Sequence, residues 1–75
     1  MAEAEHDQLK KLAAIAADLD IDVGLRTKAI EQLGKISTHE ALLALLDLAA
    51  NERLIRAERE LALKQAREII KSGHQ

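Results

Sequence analysis

The stretch LRTKAIEQLGKI at residues 25–36 recurs in altered form as ERELALKQAREI at residues 58–69, a displacement of 33 residues. Identical residues define the alignment within this stretch: Arg26 with Arg59, Ala29 with Ala62, Gln32 with Gln65, and Ile36 with Ile69. The same displacement extends upstream, pairing Leu9 with Leu42, Leu12 with Leu45, Ala16 with Ala49 and Asp18 with Asn51. A period of roughly 20–50 residues is typical of stacked helical repeats, in which one supersecondary unit is copied and packed on its neighbour.

Composition predicts that the repeated unit is helical. The 75-residue chain has no Pro and three Gly, and Ala, Leu, Glu, Lys, Gln and Arg dominate it. These residues are the strong helix formers, and no alternating strand pattern competes with them. The sequence therefore predicts an all-α fold.

Apolar spacing predicts four helices, from about residues 3–19, 23–36, 38–50 and 52–71. Helix 1 is expected to bury Leu9, Leu12, Ala13, Ile15, Ala16 and Leu19, and helix 2 to bury Leu25, Ala29, Ile30, Leu33 and Ile36. Helix 3 carries leucines around most of its circumference and therefore needs cover on more than one side.

Capping residues are expected between the helices. Asp20 or Asp22 is placed to cap helix 2, and Asn51 to cap helix 4. The segment Ser37-Thr38-His39-Glu40 fits a capping box, in which a hydroxyl accepts from the helix and Glu40 reaches back to the cap. Gly73 is the expected C-cap of helix 4.

Residues 25–36 also resemble the second helix of a HEAT repeat, whose pattern is V/L-R-x-x-A-x-x-x-L-G-x-I. Asp20 and Asp22 resemble the aspartate-bearing turn of that family, and residues 40–46 resemble the first helix of the next repeat. The resemblance implies one domain over residues 1–75, with repeats at about 5–37 and 38–70. It implies two antiparallel helix hairpins stacked as a short α-solenoid or as a compact four-helix bundle.

The second copy departs from the pattern at three positions: Glu58 replaces Leu25, Ala66 replaces Leu33 and Arg67 replaces Gly34. These departures favour a terminal, cap-like repeat whose outer side meets water. An ordinary four-helix bundle remains the alternative.

Metal, cofactor and catalytic chemistry find little support. The chain has no Cys, and His6, His39 and His74 are too far apart to share a helix face. A calcium loop starting at Asp18 would need Gly and Glu where Val23 and Ala29 stand. We therefore expect no cofactor, no metal and no enzyme activity.

The cellular location is expected to be cytoplasmic. The N-terminal residues are acidic and lack the apolar region of a signal peptide, and no apolar run approaches the roughly 20 residues of a membrane span.

Nucleic-acid binding is an alternative that depends on helix 4. Its basic stripe comprises Arg53, Arg56, Lys64, Arg67 and Lys71, but Glu60 and Glu68 interrupt it at ion-pairing distance. A sequence pI near 5.9 and the absence of aromatic residues argue against this function.

The favoured function is a non-catalytic protein–protein interaction or adaptor module that binds another protein or itself as a homodimer. Its interface is expected at Leu43, Leu46 and Leu48, with Arg53, Arg56 and Lys64 as a charged rim. The competing interpretation assigns these leucines to the core and these charges to solvated ion pairs. A further alternative is an engineered or excised repeat scaffold without activity of its own.

Overall fold

The computed structural model describes residues 2–72, with side chains from residue 7 onward, and is all-α over that range. Its helices are α1 (Ala2–Ala17), α2 (Val23–Ile36), α3 (His39–Ala49) and α4 (Arg56–Lys71). The predicted all-α fold class is therefore confirmed. The predicted cap Gly73 and the predicted separation of His74 lie outside the described residues.

The helices form two hairpins, α1–α2 and α3–α4, and the second hairpin packs against the first chiefly through α4 on α2. Leu9, Ala16, Ala29, Ile30 and Leu33 of the first hairpin are buried. From the second hairpin the same core receives Ala41, Leu45, Leu48, Leu54, Ala62, Ala66 and Ile69. Ala29 and its counterpart Ala62 are both in this core, as a duplicated hairpin requires.

The turn before α2 ends α1 earlier than predicted. α1 stops at Ala17, and the amide of Asp20 donates to Asp18 Oδ1 at 2.9 Å. Leu19, expected in the core, is 48% exposed because it lies in this turn. Asp22 caps α2, since its Oδ2 accepts from the amide of Gly24 at 2.9 Å. One of the two predicted cap residues is thereby confirmed.

The turn between α2 and α3 uses Ser37 and Thr38 differently from a simple capping box. Ser37 ends α2 with a left-handed backbone (φ 61°), so it cannot supply the extended backbone of an N-cap. Thr38 is the N-cap of α3, and its Oγ1 accepts from the amide of Ala41 at 3.1 Å. Glu40 is consequently the second residue of α3 rather than the third.

The prediction that Asn51 caps α4 is wrong. α4 begins five residues later, and Asn51 instead shapes a turn in which its Oδ1 accepts from Arg53 N at 3.0 Å. The amide of Leu54 donates to the Asn51 carbonyl at 3.1 Å, as Ile21 donates to Asp18 at 3.1 Å in the first hairpin. The turn is thus duplicated bond for bond, because Asp18 and Asn51 offer the same oxygen.

The duplication fails at the cap itself. Ile55 occupies the N-cap of α4 with an extended backbone (φ −67°, ψ 157°) but provides no side-chain hydrogen bond, whereas its counterpart Asp22 does. Ile55 is also 54% exposed, so its apolar side chain gains little from burial. The first turn of α4 therefore lacks a favourable capping interaction.

We predict that Ile55→Asp raises the free energy of unfolding by about 0.5–1.5 kcal/mol, because an aspartate there can accept from the first turn of α4. Urea unfolding followed by circular dichroism measures the change. The reciprocal variant Asp22→Ile is the control and should be destabilised by a similar amount. A loss of stability in Ile55→Asp would contradict the assignment of the cap.

Close contact between α2 and α4 depends on Gly34. A Cβ atom added there would lie 3.1 Å from Gln65 Cβ and still closer to the end of the Gln65 side chain. Its counterpart Arg67 on α4 is exposed. The same repeat position is therefore occupied by glycine where a helix packs on it and by arginine where the described residues leave it open.

We predict that Gly34→Leu lowers the free energy of unfolding by about 1–3 kcal/mol, because the added side chain overpacks the contact between α2 and α4. Arg67→Leu places the same side chain at the equivalent open position and should change stability by less than about 0.5 kcal/mol. Thermal and urea denaturation of both variants check this. Equal effects of the two substitutions would contradict the packing described for Gly34.

Candidate functional site: two unequal end faces

Arg26 is the polar centre of the contact between the hairpins. Its Nε donates to Glu58 Oε2 at 2.8 Å and its Nη2 to Glu58 Oε1 at 3.2 Å, a bidentate pair between α2 and α4. The same guanidinium donates through Nη1 to the carbonyls of Ile21 at 2.6 Å and Leu19 at 3.3 Å. One side chain therefore connects the turn after α1, helix α2 and the first turn of α4.

Both partners of this pair are buried, and the burial of Arg26 was not predicted from the sequence. Arg26 is 8% exposed and Glu58 is 2% exposed, whereas Leu25, expected in the core, is 56% exposed. Glu58, one of the three departures from the HEAT pattern, is therefore buried between the hairpins and does not lie on a water-facing outer side. The hydrogen bonds that Arg26 donates to the Glu58 carboxylate raise the pKa of Arg26, desolvation opposes this rise, and the guanidinium stays charged throughout the neutral range.

We predict that Glu58→Gln lowers the free energy of unfolding by about 3–5 kcal/mol, since it leaves the buried Arg26 charge without its counterion. Glu60→Gln is the matched control: Glu60 accepts from Arg56 Nε at 2.9 Å, but both side chains are exposed. Its expected effect is below about 0.5 kcal/mol. Urea unfolding at neutral pH compares the two variants. Equal losses in the free energy of unfolding would show that the buried pair stabilises the fold no more than the exposed pair does.

Comparison of equivalent positions shows that the first hairpin is covered by the second on one side. Ile30 is fully buried, but its counterpart Leu63 is 36% exposed. Leu9, Ala16 and Arg26 are buried, and their counterparts Leu42, Ala49 and Arg59 are only half-buried. These counterparts, together with Arg67, form what we call the C-terminal end face: Leu42, Ala49, Arg59, Leu63 and Arg67.

The opposite end shows the reverse relation. Gln8, Lys11 and Gln32 are exposed, but their counterparts Ala41, Ala44 and Gln65 are covered to different degrees by the first hairpin. The exposed side chains and Leu12 line a shallow cavity of about 340 Å³. We call Gln8, Lys11, Leu12, Leu25 and Gln32 the N-terminal end face. Gln8 and Lys11 stand where the second hairpin has alanines, so this part of the N-terminal end face is suited to water, whereas Leu25 is an exposed leucine on the same face.

The C-terminal end face contains a polar atom without a partner. Arg59 Nε is buried and makes no hydrogen bond, the one such side-chain atom found among the described side chains. Arg59 lines a cavity of about 370 Å³ with Ala49, Arg56, Glu60 and Leu63. A buried donor left unpaired costs free energy, so this position favours an incoming acceptor.

The six residues predicted for an interface are distributed over four environments. Leu43 (50%) and Leu46 (39%) are exposed, but Leu48 is only 4% exposed and belongs to the core, because it faces the same side of α3 as Leu45. Arg56 and Lys64 are exposed on α4. Arg53 precedes α4 and lies in the Asn51 turn, so the basic stripe predicted for helix 4 is one residue shorter.

The predicted residues are therefore only partly brought together. Arg56 lies beside Arg59 and Leu63 in the 370 Å³ cavity. Leu46 lies one turn from Leu42 and borders the C-terminal end face, as 3.6-residue periodicity requires. Sequence reasoning missed Arg59 as a site residue, although its alignment with Arg26 was the available signal.

Among the described residues, no group of three or more His, Cys, Asp or Glu residues is arranged to hold a metal ion. None of the described helices is both long enough and apolar enough to cross a membrane.

Comparisons of the chain with protein-family models, with curated proteins and with solved structures give no significant match. Within the chain, the two hairpins are similar to each other at a displacement of 33 residues.

Proposed function

We propose that this chain is a non-catalytic protein–protein interaction module, built from two HEAT-like hairpins, that binds a partner through its C-terminal end face. One observation carries the proposal: the positions with which the first hairpin holds the second recur on the second hairpin and are less covered there. Ile30 and Leu63 show this most clearly, since the same repeat position changes from 0% to 36% exposure.

The second hairpin carries residues similar to those with which the first hairpin contacts the second. The first hairpin already demonstrates that an apolar patch around a central arginine accepts another hairpin. The second hairpin presents the same residue types at the same repeat positions, with Leu63 for Ile30 and Arg59 for Arg26. Burying this apolar surface against a partner is favourable by roughly 25 cal/mol for each Å² removed from water.

Two of the four Ser and Thr hydroxyl groups, which a hydrolytic enzyme could use, have structural partners. Thr38 Oγ1 caps α3, and Ser72 Oγ donates to the Ile69 carbonyl at 2.8 Å. His39 is an exposed first-turn residue of α3. These assignments support a binding function over a catalytic one.

The proposal is tested by affinity capture with the intact chain and two matched variants. Leu63→Gln alters the C-terminal end face, and Leu25→Gln makes the same change at an exposed leucine on the other end. Both leucines are at least one-third exposed, so each variant should keep its helicity and its unfolding midpoint. We predict that proteins retained by the parent chain are retained by Leu25→Gln and lost, at least tenfold, by Leu63→Gln.

The capture uses a cell extract, and nuclease treatment of this extract before capture distinguishes protein binding from nucleic-acid binding. Material that disappears with nuclease, or that is retained equally by both variants, would contradict the proposal. Capture of nothing specific by the parent chain would contradict it as well. The measurement is quantitative mass spectrometry of the retained fraction against beads carrying no protein.

A further inference from the structure

We infer that the C-terminal end face recognises a carboxylate in the first turn of a partner protein's helix, received by Arg59 as Arg26 receives Glu58. This inference rests on the proposed function and adds the chemistry of the partner. It starts from the buried, unpaired Nε of Arg59 and the cavity of about 370 Å³ beside it.

The geometry of the expected contact is provided by the chain itself. Arg26 holds Glu58 through Nε at 2.8 Å and Nη2 at 3.2 Å, and Glu58 lies in the first turn of α4. Arg59 is the 33-residue counterpart of Arg26. A planar, bidentate acceptor is the group that a guanidinium fork binds best. A carboxylate in the first turn of a helix is also favoured by the dipole of that helix.

The surroundings of Arg59 favour a protein helix over a nucleic acid. Its neighbours Ala49 and Leu63 are apolar, and its Nε is recessed rather than presented to solvent. Arg56, the other cation that lines the cavity, is already paired with Glu60 at 2.9 Å. A phosphodiester backbone approaching this cavity would meet the Glu60 carboxylate as well as the Arg59 guanidinium, and the apolar side chains of Ala49 and Leu63 would give its phosphates no hydrogen bond.

A second copy of this chain is a poor occupant in either orientation. Stacked head to tail, it would bring Leu25 instead of a glutamate to Arg59, and would cover Gln8 and Lys11. If two copies were related by a two-fold axis, Arg59 and Arg67 of one copy would meet the same two residues of the other copy. Repulsion between these like charges opposes this arrangement. The occupant that fits is a different protein.

The position of Arg67 adds a second requirement. On α2 the equivalent Gly34 makes room for Gln65, which lies seven residues after Glu58. Arg67 removes that room and places a cation there. The partner helix is therefore expected to carry acidic residues seven positions apart, the first meeting Arg59 and the second meeting Arg67.

The test uses two forms of the intact chain, one as target and one as probe. The target is the chain with its natural C-terminal end face. The probe carries Gln8→Ala, Lys11→Ala, Leu25→Glu and Gln32→Glu, which give its N-terminal end face the expected partner chemistry. It also carries Arg59→Met, so that it cannot bind itself. All four N-terminal positions are exposed, and circular dichroism checks that the probe stays helical.

Isothermal titration calorimetry and sedimentation velocity are expected to show a one-to-one complex of target and probe. Arg59→Met in the target should weaken the complex at least tenfold. A probe with Leu25→Gln in place of Leu25→Glu should weaken it equally. Combining the two changes should weaken the complex little more than either change alone, as expected for two groups that bind each other.

Several results would overturn the inference: no complex, equal affinity for the Leu25→Glu and Leu25→Gln probes, or no effect of Arg59→Met. Arg59-dependent binding of a 20-base-pair DNA duplex would overturn it in favour of nucleic acid. An Arg59-dependent dimer of the unmodified chain in light scattering would overturn it in favour of self-association. Loss of this inference leaves the proposed function intact if capture still depends on Leu63.

Discussion

The buried pair between Arg26 and Glu58 is the constraint on which the arrangement of the hairpins depends. Hydrophobic burial brings α2 and α4 together, but it leaves their axial register loosely specified. The bidentate pair at 2.8 and 3.2 Å fixes that register, and the bonds to the Leu19 and Ile21 carbonyls extend it to the turn after α1. Because a buried charge without its partner is costly, other registers are disfavoured.

The two hairpins have similar sequences but differ at their outer surfaces, and therefore the two ends of the molecule differ. At the N-terminal end face, Gln8 and Lys11 stand where the second hairpin has Ala41 and Ala44. At the C-terminal end face, Arg59 and Leu63 keep the character of Arg26 and Ile30. This difference gives the molecule a direction, and it places the proposed binding surface at one end only.

The sequence was sufficient for the helices and for much of the core, because apolar periodicity and helix propensity act locally. The boundaries of α2 were predicted to the residue, and the burial of Ala29, Ile30 and Leu33 followed from spacing alone. The errors arose where tertiary contacts dominate. Leu25 is apolar and was therefore expected in the core. The buried group that α4 presents to α2 is the Glu58 carboxylate, so Arg26 takes the buried position instead of Leu25. Asn51 has the chemistry of a cap, yet burying Leu54 requires a turn there. The difference in exposure between Leu63 and Ile30 depends on which other helix packs over each of them. The local sequence pattern does not contain this information.

The first hairpin is covered more than the second, and solvent paramagnetic relaxation of methyl groups in the unmodified chain measures this difference. With a soluble gadolinium chelate, we predict strong relaxation of the Leu63 methyl groups and protection of the Ile30 methyl groups, in line with exposures of 36% and 0%. Equal protection of the two side chains would contradict this prediction, since the C-terminal end face would then be covered already.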